Sequence, residues 1–132
     1  HNSATIVDDT YNANPDSVKA AIRVLAASKP PRVLVLGDMG ELGAGAAAMH
    51  REVGEFARRH GIERLYAMGE LARETVAAFG AGAAHFDSRD ALVAALLPQL
   101  APQTTVLVKG SRFMRMERVV EKLVPDYHGG HH

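Results

Sequence analysis

The feature that most constrains this chain is a repeated alternation. Short apolar, partly β-branched runs are separated by stretches whose apolar residues recur at helical spacing. The runs are Ala4-Thr5-Ile6-Val7, Val33-Leu34-Val35-Leu36, Leu65-Tyr66-Ala67-Met68, Ala83-Ala84-His85-Phe86 and Thr104 to Val108. Each is short and bounded by polar or glycine-rich residues, the pattern of a buried strand. Asn14-Pro15 supplies a side-chain cap and a proline at the first helical position, and Pro30-Pro31 forbids continuation, so a helix is predicted from Pro15 to about Ser28. Its apolar stripe is Val18, Ile22, Leu25 and Ala26. A second helix is predicted over residues 46 to 60, with Met49, Val53, Phe56 and Ala57 inward and Arg51, Glu52, Glu55 and Arg59 outward. Others are expected over Glu70 to Phe79, after a cap at Asp87 or Ser88, and over Arg112 to Val124. In the last of these Phe113, Met116, Val120, Leu123 and Val124 form the stripe, with Glu117 at its margin.

Strands alternating with helices imply βαβ units. The expected fold is therefore α/β, a Rossmann-like three-layer sandwich whose mainly parallel sheet is flanked by helices. A length of 132 residues suits one such domain, expected over residues 1–125, with 126–132 read as a flexible tail or tag remnant. Fifteen basic side chains balance fifteen acidic ones, so no cationic surplus points to nucleic acid or an anionic membrane. The absence of Cys removes disulfides, thiolate metal sites and cysteine nucleophiles, and suits a reducing cytoplasm. No apolar run reaches the length of about eighteen residues that a membrane span needs. His50, His60 and His85 are isolated at spacings that do not suit a metal, and read as surface or satisfied core residues; Met49, Met114 and Met116 read as packing residues.

In parallel α/β sheets ligands bind beyond the carboxyl ends of the strands, so the loops that follow strands carry the functional information. Three are unusual: Asp8-Asp9-Thr10-Tyr11-Asn12-Ala13-Asn14-Pro15-Asp16-Ser17, Gly37-Asp38-Met39-Gly40-Glu41-Leu42-Gly43, and Lys109-Gly110-Ser111-Arg112. The first is dense in groups that bond ribose hydroxyls and adenine nitrogens, and Tyr11 offers an aromatic face; the same residue types also make turns and caps. The second has glycines at 37, 40 and 43, which is not the G-x-G-x-x-G of a dinucleotide fingerprint, and reads equally as a mobile turn. Asp38 within it is placed to meet an ammonium or a metal ion. Lys109 and Arg112 put two cations where a carboxylate or phosphate could dock, or form a solvated pair at a helix terminus. Glu117 is either a ligand contact or a surface ion-pair partner. No G-x-x-x-x-G-K-[ST] occurs, so nothing in the chain cradles a triphosphate in the P-loop manner.

Taken together, Asp8 to Ser17, Leu36-Gly37-Asp38-Met39-Gly40-Glu41-Leu42-Gly43, and Val108-Lys109-Gly110-Ser111-Arg112 with Met116-Glu117 closely resemble the carboxy-terminal domain of MurF-type Mur ligases. The resemblance runs from about Ala4 to Val124. It implies an ATP-dependent carbon–nitrogen ligase of peptidoglycan precursor synthesis. Such an enzyme activates the terminal carboxylate of UDP-N-acetylmuramoyl-tripeptide as an acyl phosphate and lets the amine of D-alanyl-D-alanine attack it. It further implies ATP and Mg2+ as cofactors, with the P-loop and metal ligands on a central domain and the UDP-sugar peptide site on an amino-terminal one, neither present in this chain. Domain closure would complete the site. By the same resemblance Asp9, Tyr11, Asn12 and Asn14 belong to the nucleotide side, and Asp38, Lys109, Ser111, Arg112 and Glu117 to the dipeptide side. No catalytic residue and no metal ligand is assigned in this chain, and the segment alone is expected to be inactive. Two other classes stay open: a receiver-like signalling domain, which would also place paired acids after its first strand and a lysine after its last, and a stand-alone nucleotide-binding module. The receiver pattern needs an aspartate after the central strand, where this chain has Met68-Gly69-Glu70, and a proline after the lysine, where it has Gly110.

Overall fold

Residues 4–9, 13–40, 42–111 and 114–124 are described by a computed structural model. The expected tail, and Tyr11, Asn12, Arg112 and Phe113 among the residues singled out above, lie outside the described residues. The strands are β1 (Thr5–Asp9), β2 (Arg32–Leu36), β3 (Arg64–Met68), β4 (Ala83–Phe86) and β5 (Thr105–Lys109). The helices are α1 (Pro15–Ala26), α2 (Ala46–Arg59), α3 (Ala72–Phe79), α4 (Arg89–Leu96) and α5 (Glu117–Leu123). The strands form one sheet in the order β1-β5-β2-β3-β4, and every pairing is parallel.

Strand alternation splits the core in two. Leu34, Leu36, Leu65, Ala67 and Leu107 pack under α1, α2 and α3, where Val18, Ile22, Leu25, Val53, Ala57 and Phe79 meet them. Val33, Val35, Tyr66, Val106 and Val108 face α4 and α5, which contribute Leu92, Leu96, Met116, Val119, Val120 and Leu123. The α/β three-layer expectation holds. The helix caps follow local chemistry: the Asn14 side chain accepts from the Ser17 amide, with Ser17 reciprocating on the Asn14 amide, and Ser88 accepts from Ala91 at the start of α4.

Two boundaries differ from the sequence expectation. β1 runs on through Asp8 and Asp9, because parallel pairing with β5 continues to Asp9↔Lys109. α5 begins at Glu117, five residues later than the helix predicted from Arg112. Just before it Arg115 holds a left-handed φ of 52°, which no α-helix can run through.

At the opposite end of the sheet, Arg32 fastens three segments. Its guanidinium donates to both carboxylate oxygens of Glu63 (3.1 Å each), to the Gly61 carbonyl (2.9 Å) and to the Ala26 carbonyl. The fork against the carboxylate holds the Glu63 acid below its ordinary range, outweighing a smaller desolvation effect. A depressed carboxyl pKa stabilises the fold above the unfolded value of about 4.3, and that contribution disappears as pH falls through the lower folded value. Glu63→Gln is therefore expected to lower stability at pH 7 by up to about 1 kcal/mol, a figure limited by solvent exposure of the pair. Urea midpoints of the two proteins should draw together as pH falls below the usual carboxylate range; a gap that persisted there would assign the effect to packing instead.

Candidate functional site at the carboxyl edge of the sheet

The strand order reverses around β5. From β1 and β2 the chain turns to helices on one face, and from β5, between them, it leaves for α5 on the other. Such a reversal opens a crevice at the carboxyl ends of the strands. Register brings Asp9, Lys109 and Leu36 to one level across the three strands, so the loops that follow start side by side. Lys109 ends β5 on the same alternation as Leu107, toward the α1–α3 layer, and is 3% exposed. An ammonium buried to that degree needs acceptors or an anion near it.

Asp38 is the hub of this edge. It is 7% exposed, and its carboxylate accepts from the amides of Leu71 (3.1 Å) and Ala72 (2.7 Å) at the start of α3. These are backbone donors with no partner inside their own helix, and the negative charge is favoured there. The close approach requires glycine at 69: a Cβ there would lie 2.4 Å from Asp38 Oδ1, and φ is +110°. The Asp38 carbonyl accepts from Ser111, which links the loop after β2 to the loop after β5. Ser111 is 5% exposed, yet its hydroxyl has no hydrogen-bond partner among the described residues. Leaving such a group unsatisfied costs about 1–3 kcal/mol.

Beside it Met116, fully buried, covers Gly37 and Gly110. Cβ atoms at those glycines would approach Met116 Cγ to 2.9 and 2.5 Å, so neither position has room for a side chain. Gly37 N–H in turn donates to the Lys109 carbonyl at 2.9 Å. Glu117 follows Met116 as the first residue of α5, half-buried, where a carboxylate suits the helix start.

Asp38, Lys109 and Ser111 thus meet at this edge through backbone hydrogen bonds, and Glu117 follows the methionine that covers Gly37 and Gly110. Asp9 joins them through its backbone at the end of β1. Asn14 lies on the same edge at the head of α1, and its hydrogen bonds among the described residues stay within its own first turn, leaving its amide N–H2 for other partners. The last helix starts at Glu117, and Arg112, from which the sequence suggested it would open, lies outside the described residues. Two residues that sequence reasoning left aside matter here. Gly69 admits the Asp38 carboxylate; its position after a strand was a visible signal. His50 is a satisfied core residue whose ring accepts from the Met39 amide (3.0 Å) in the glycine loop. Its signal was helical spacing, since His50, Val53 and Ala57 share the buried stripe of α2. Among the described residues no group of three or more His, Asp or Glu is arranged to hold a metal, and no helix is long and apolar enough to cross a membrane.

Comparison with known proteins decides the family. The family model for the Mur ligase glutamate ligase domain matches residues 1–112. The chain belongs to the Mur ligase family. The UDP-N-acetylmuramoyl-tripeptide–D-alanyl-D-alanine ligase of Escherichia coli (strain K12) is 46% identical over 120 residues, covering 89% of this chain and 26% of that protein. The ligase of the same name from Haemophilus influenzae is 38% identical over 124 residues, covering 89% of this chain and 27% of its own length. The Mur ligase chain described here therefore spans about a quarter of the curated relatives it matches. Among solved structures, a MurF ligase from Thermotoga maritima in complex with ADP superposes with a TM-score of 0.82 at 29% identity, covering 90% of this chain and 27% of that one. MurF from Acinetobacter baumannii gives 0.85 at 31% identity, covering 93% and 28%. The resemblance read from the three loops, to the carboxy-terminal domain of the MurF type, is shown by these matches.

Proposed function

We propose that residues 1–125 are the carboxy-terminal domain of a MurF-type ligase that joins D-alanyl-D-alanine to UDP-N-acetylmuramoyl-tripeptide with ATP, and that the carboxyl edge of the sheet is this domain's half of the active cleft. One observation carries the assignment of the edge to a ligand: the buried, unpartnered Ser111 hydroxyl beside the buried Lys109, in a chain whose relatives bear that enzyme's name. A dipeptide zwitterion offers a carboxylate to a hydroxyl and a cation, and an ammonium to carboxylates. Lys109, Ser111 and Arg112 take the carboxylate end. Asp38 and Glu117 serve the amino end, each Asp38 oxygen keeping a lone pair beyond its bond to α3.

ADP in the Thermotoga relative supports a nucleotide for this chain too, and Asp9, Tyr11, Asn12 and Asn14 are its proposed contacts to adenine and ribose. The sequence holds no P-loop, and on this reading the phosphates and Mg2+ are held by other domains of the ligase. A UDP-linked precursor and ATP make the cytoplasm the proposed compartment.

In the ligase containing this chain, Lys109→Ala and Glu117→Ala should raise the dipeptide KM by roughly tenfold or more and leave the ATP KM within about twofold. Tyr11→Ala or Asn12→Ala should do the reverse. Unchanged dipeptide kinetics in both of the first two variants would overturn the assignment.

A further inference from the structure

Beyond the residues proposed to touch substrate, the buried histidine of α2 stands in a closed circuit of hydrogen bonds. His50 is 2% exposed. Its Nε2 accepts from Met39 N–H at 3.0 Å, so that nitrogen carries no proton; the proton sits on Nδ1, which donates to the Ala46 carbonyl at 2.7 Å. Met39 is bonded in sequence to Asp38, whose carboxylate holds the start of α3. From α3, Thr75 Oγ1 returns a bond to the His50 carbonyl at 2.9 Å. The circuit therefore closes through His50 ring, Met39, Asp38, α3 and His50 main chain, with Ser111 attached from outside at the Asp38 carbonyl.

We propose that His50 is a positioning residue for the cleft: its neutral ring, as an acceptor at Nε2, fixes the Asp38–Met39 step, and through that step it fixes both Ser111 and the head of α3. Three loops at the carboxyl edge then behave as one unit. Hydrophobic packing alone does not account for the choice of residue, since the ring spends both nitrogens on backbone groups, one of them eleven residues away in the glycine loop. The inference rests on the proposed ligase function for its kinetic consequence and on the hydrogen bonds alone for its structural one.

Two variants separate acceptor from bulk. His50→Gln keeps an acceptor near the Nε2 position; His50→Phe fills the space and offers none. In the 132-residue chain, backbone NMR should show the Phe variant displacing the Ser111 and Ala72 amides, neither of which His50 contacts, with faster hydrogen exchange at Met39. The Gln variant should leave all three close to wild type. In the ligase, Phe should raise the dipeptide KM on the order of tenfold and the ATP KM much less, with Gln restoring it to within about threefold. Ser111 and Ala72 amides unmoved by Phe, or moved equally by both variants, would overturn the positioning role. Displaced amides with unchanged dipeptide kinetics would leave positioning intact and remove the dipeptide from this loop. If the Phe variant does not fold, the wild-type ring decides: side-chain 15N shifts of a neutral ring protonated at Nδ1 support the role, and the opposite tautomer or a doubly protonated ring overturns it.

Discussion

Replacing Gly54 with alanine should destabilise the domain by about 2–3 kcal/mol, although alanine is the better helix former by roughly 1 kcal/mol. Gly54 lies in the middle of α2 where it crosses α3. A Cβ there would stand 2.3 Å from the Thr75 carbonyl oxygen and 3.1 Å from Ala78 Cβ. No side-chain rotation relieves a clash with backbone, so the two helices must separate and the contacts of Val53 and Ala57 beneath them must loosen. Gly45, at the start of the same helix, is the control: its added Cβ would meet only the end of the Met49 side chain at 3.4 Å, and its φ of −88° is open to any residue. Gly45→Ala is expected to be neutral or stabilising by a few tenths of a kcal/mol to about 1. Urea unfolding of the three proteins checks both, and a Gly54→Ala variant as stable as Gly45→Ala would show that α2 and α3 are less closely packed than described.

The fold was legible because its signal is periodic and repeated. In the β5 run, Thr105 to Lys109 is buried on both faces, which is why it reads as a continuous apolar stretch rather than an alternating one. What escaped was decided by contacts distant in sequence. Asp8 and Asp9 look like a strand end by composition, and only pairing with β5 carries the strand through them. The later start of α5 goes with the left-handed Arg115, which no local propensity announces. The site was legible as loops, since polar residues after parallel strands have few structural reasons to cluster. The work of Asp38 was not: its donors, Leu71 and Ala72, lie 33 and 34 residues away on another strand-to-helix turn. A carboxylate read as waiting for an ammonium or a metal proves to be already engaged with a helix. The sequence reads His50 as a surface or satisfied core residue and the structure makes it the second, but its partner Met39 adjoins it only when β2 and α2 are packed.

Asp38→Ala should cost about 3 kcal/mol, because each of two backbone bonds to a charged acceptor contributes about 1.5–3 kcal/mol and water recovers part of the loss. Gly69→Ala should cost a similar amount, combining a φ of +110°, unfavourable for any side chain, with a Cβ only 2.4–2.9 Å from the Asp38 carboxyl atoms. The two penalties are not independent. Removing the carboxylate abolishes the steric half of the Gly69 penalty, so the double variant should be more stable than the sum of the singles predicts by about 1 kcal/mol or more. Strict additivity would mean that Gly69 is there for its backbone angle alone. Asp38→Asn gives the complementary measurement. Its Oδ1 can still accept from one amide, but its N–H2 then faces the other as donor against donor, so the loss should approach that of alanine despite the conserved shape. In the ligase the same substitution should also disturb Ser111, which hangs on the Asp38 carbonyl, and a change of dipeptide KM in Asp38→Asn that is absent in Gly69→Ala at equal stability loss would separate the carboxylate's proposed contact with substrate from its hold on α3.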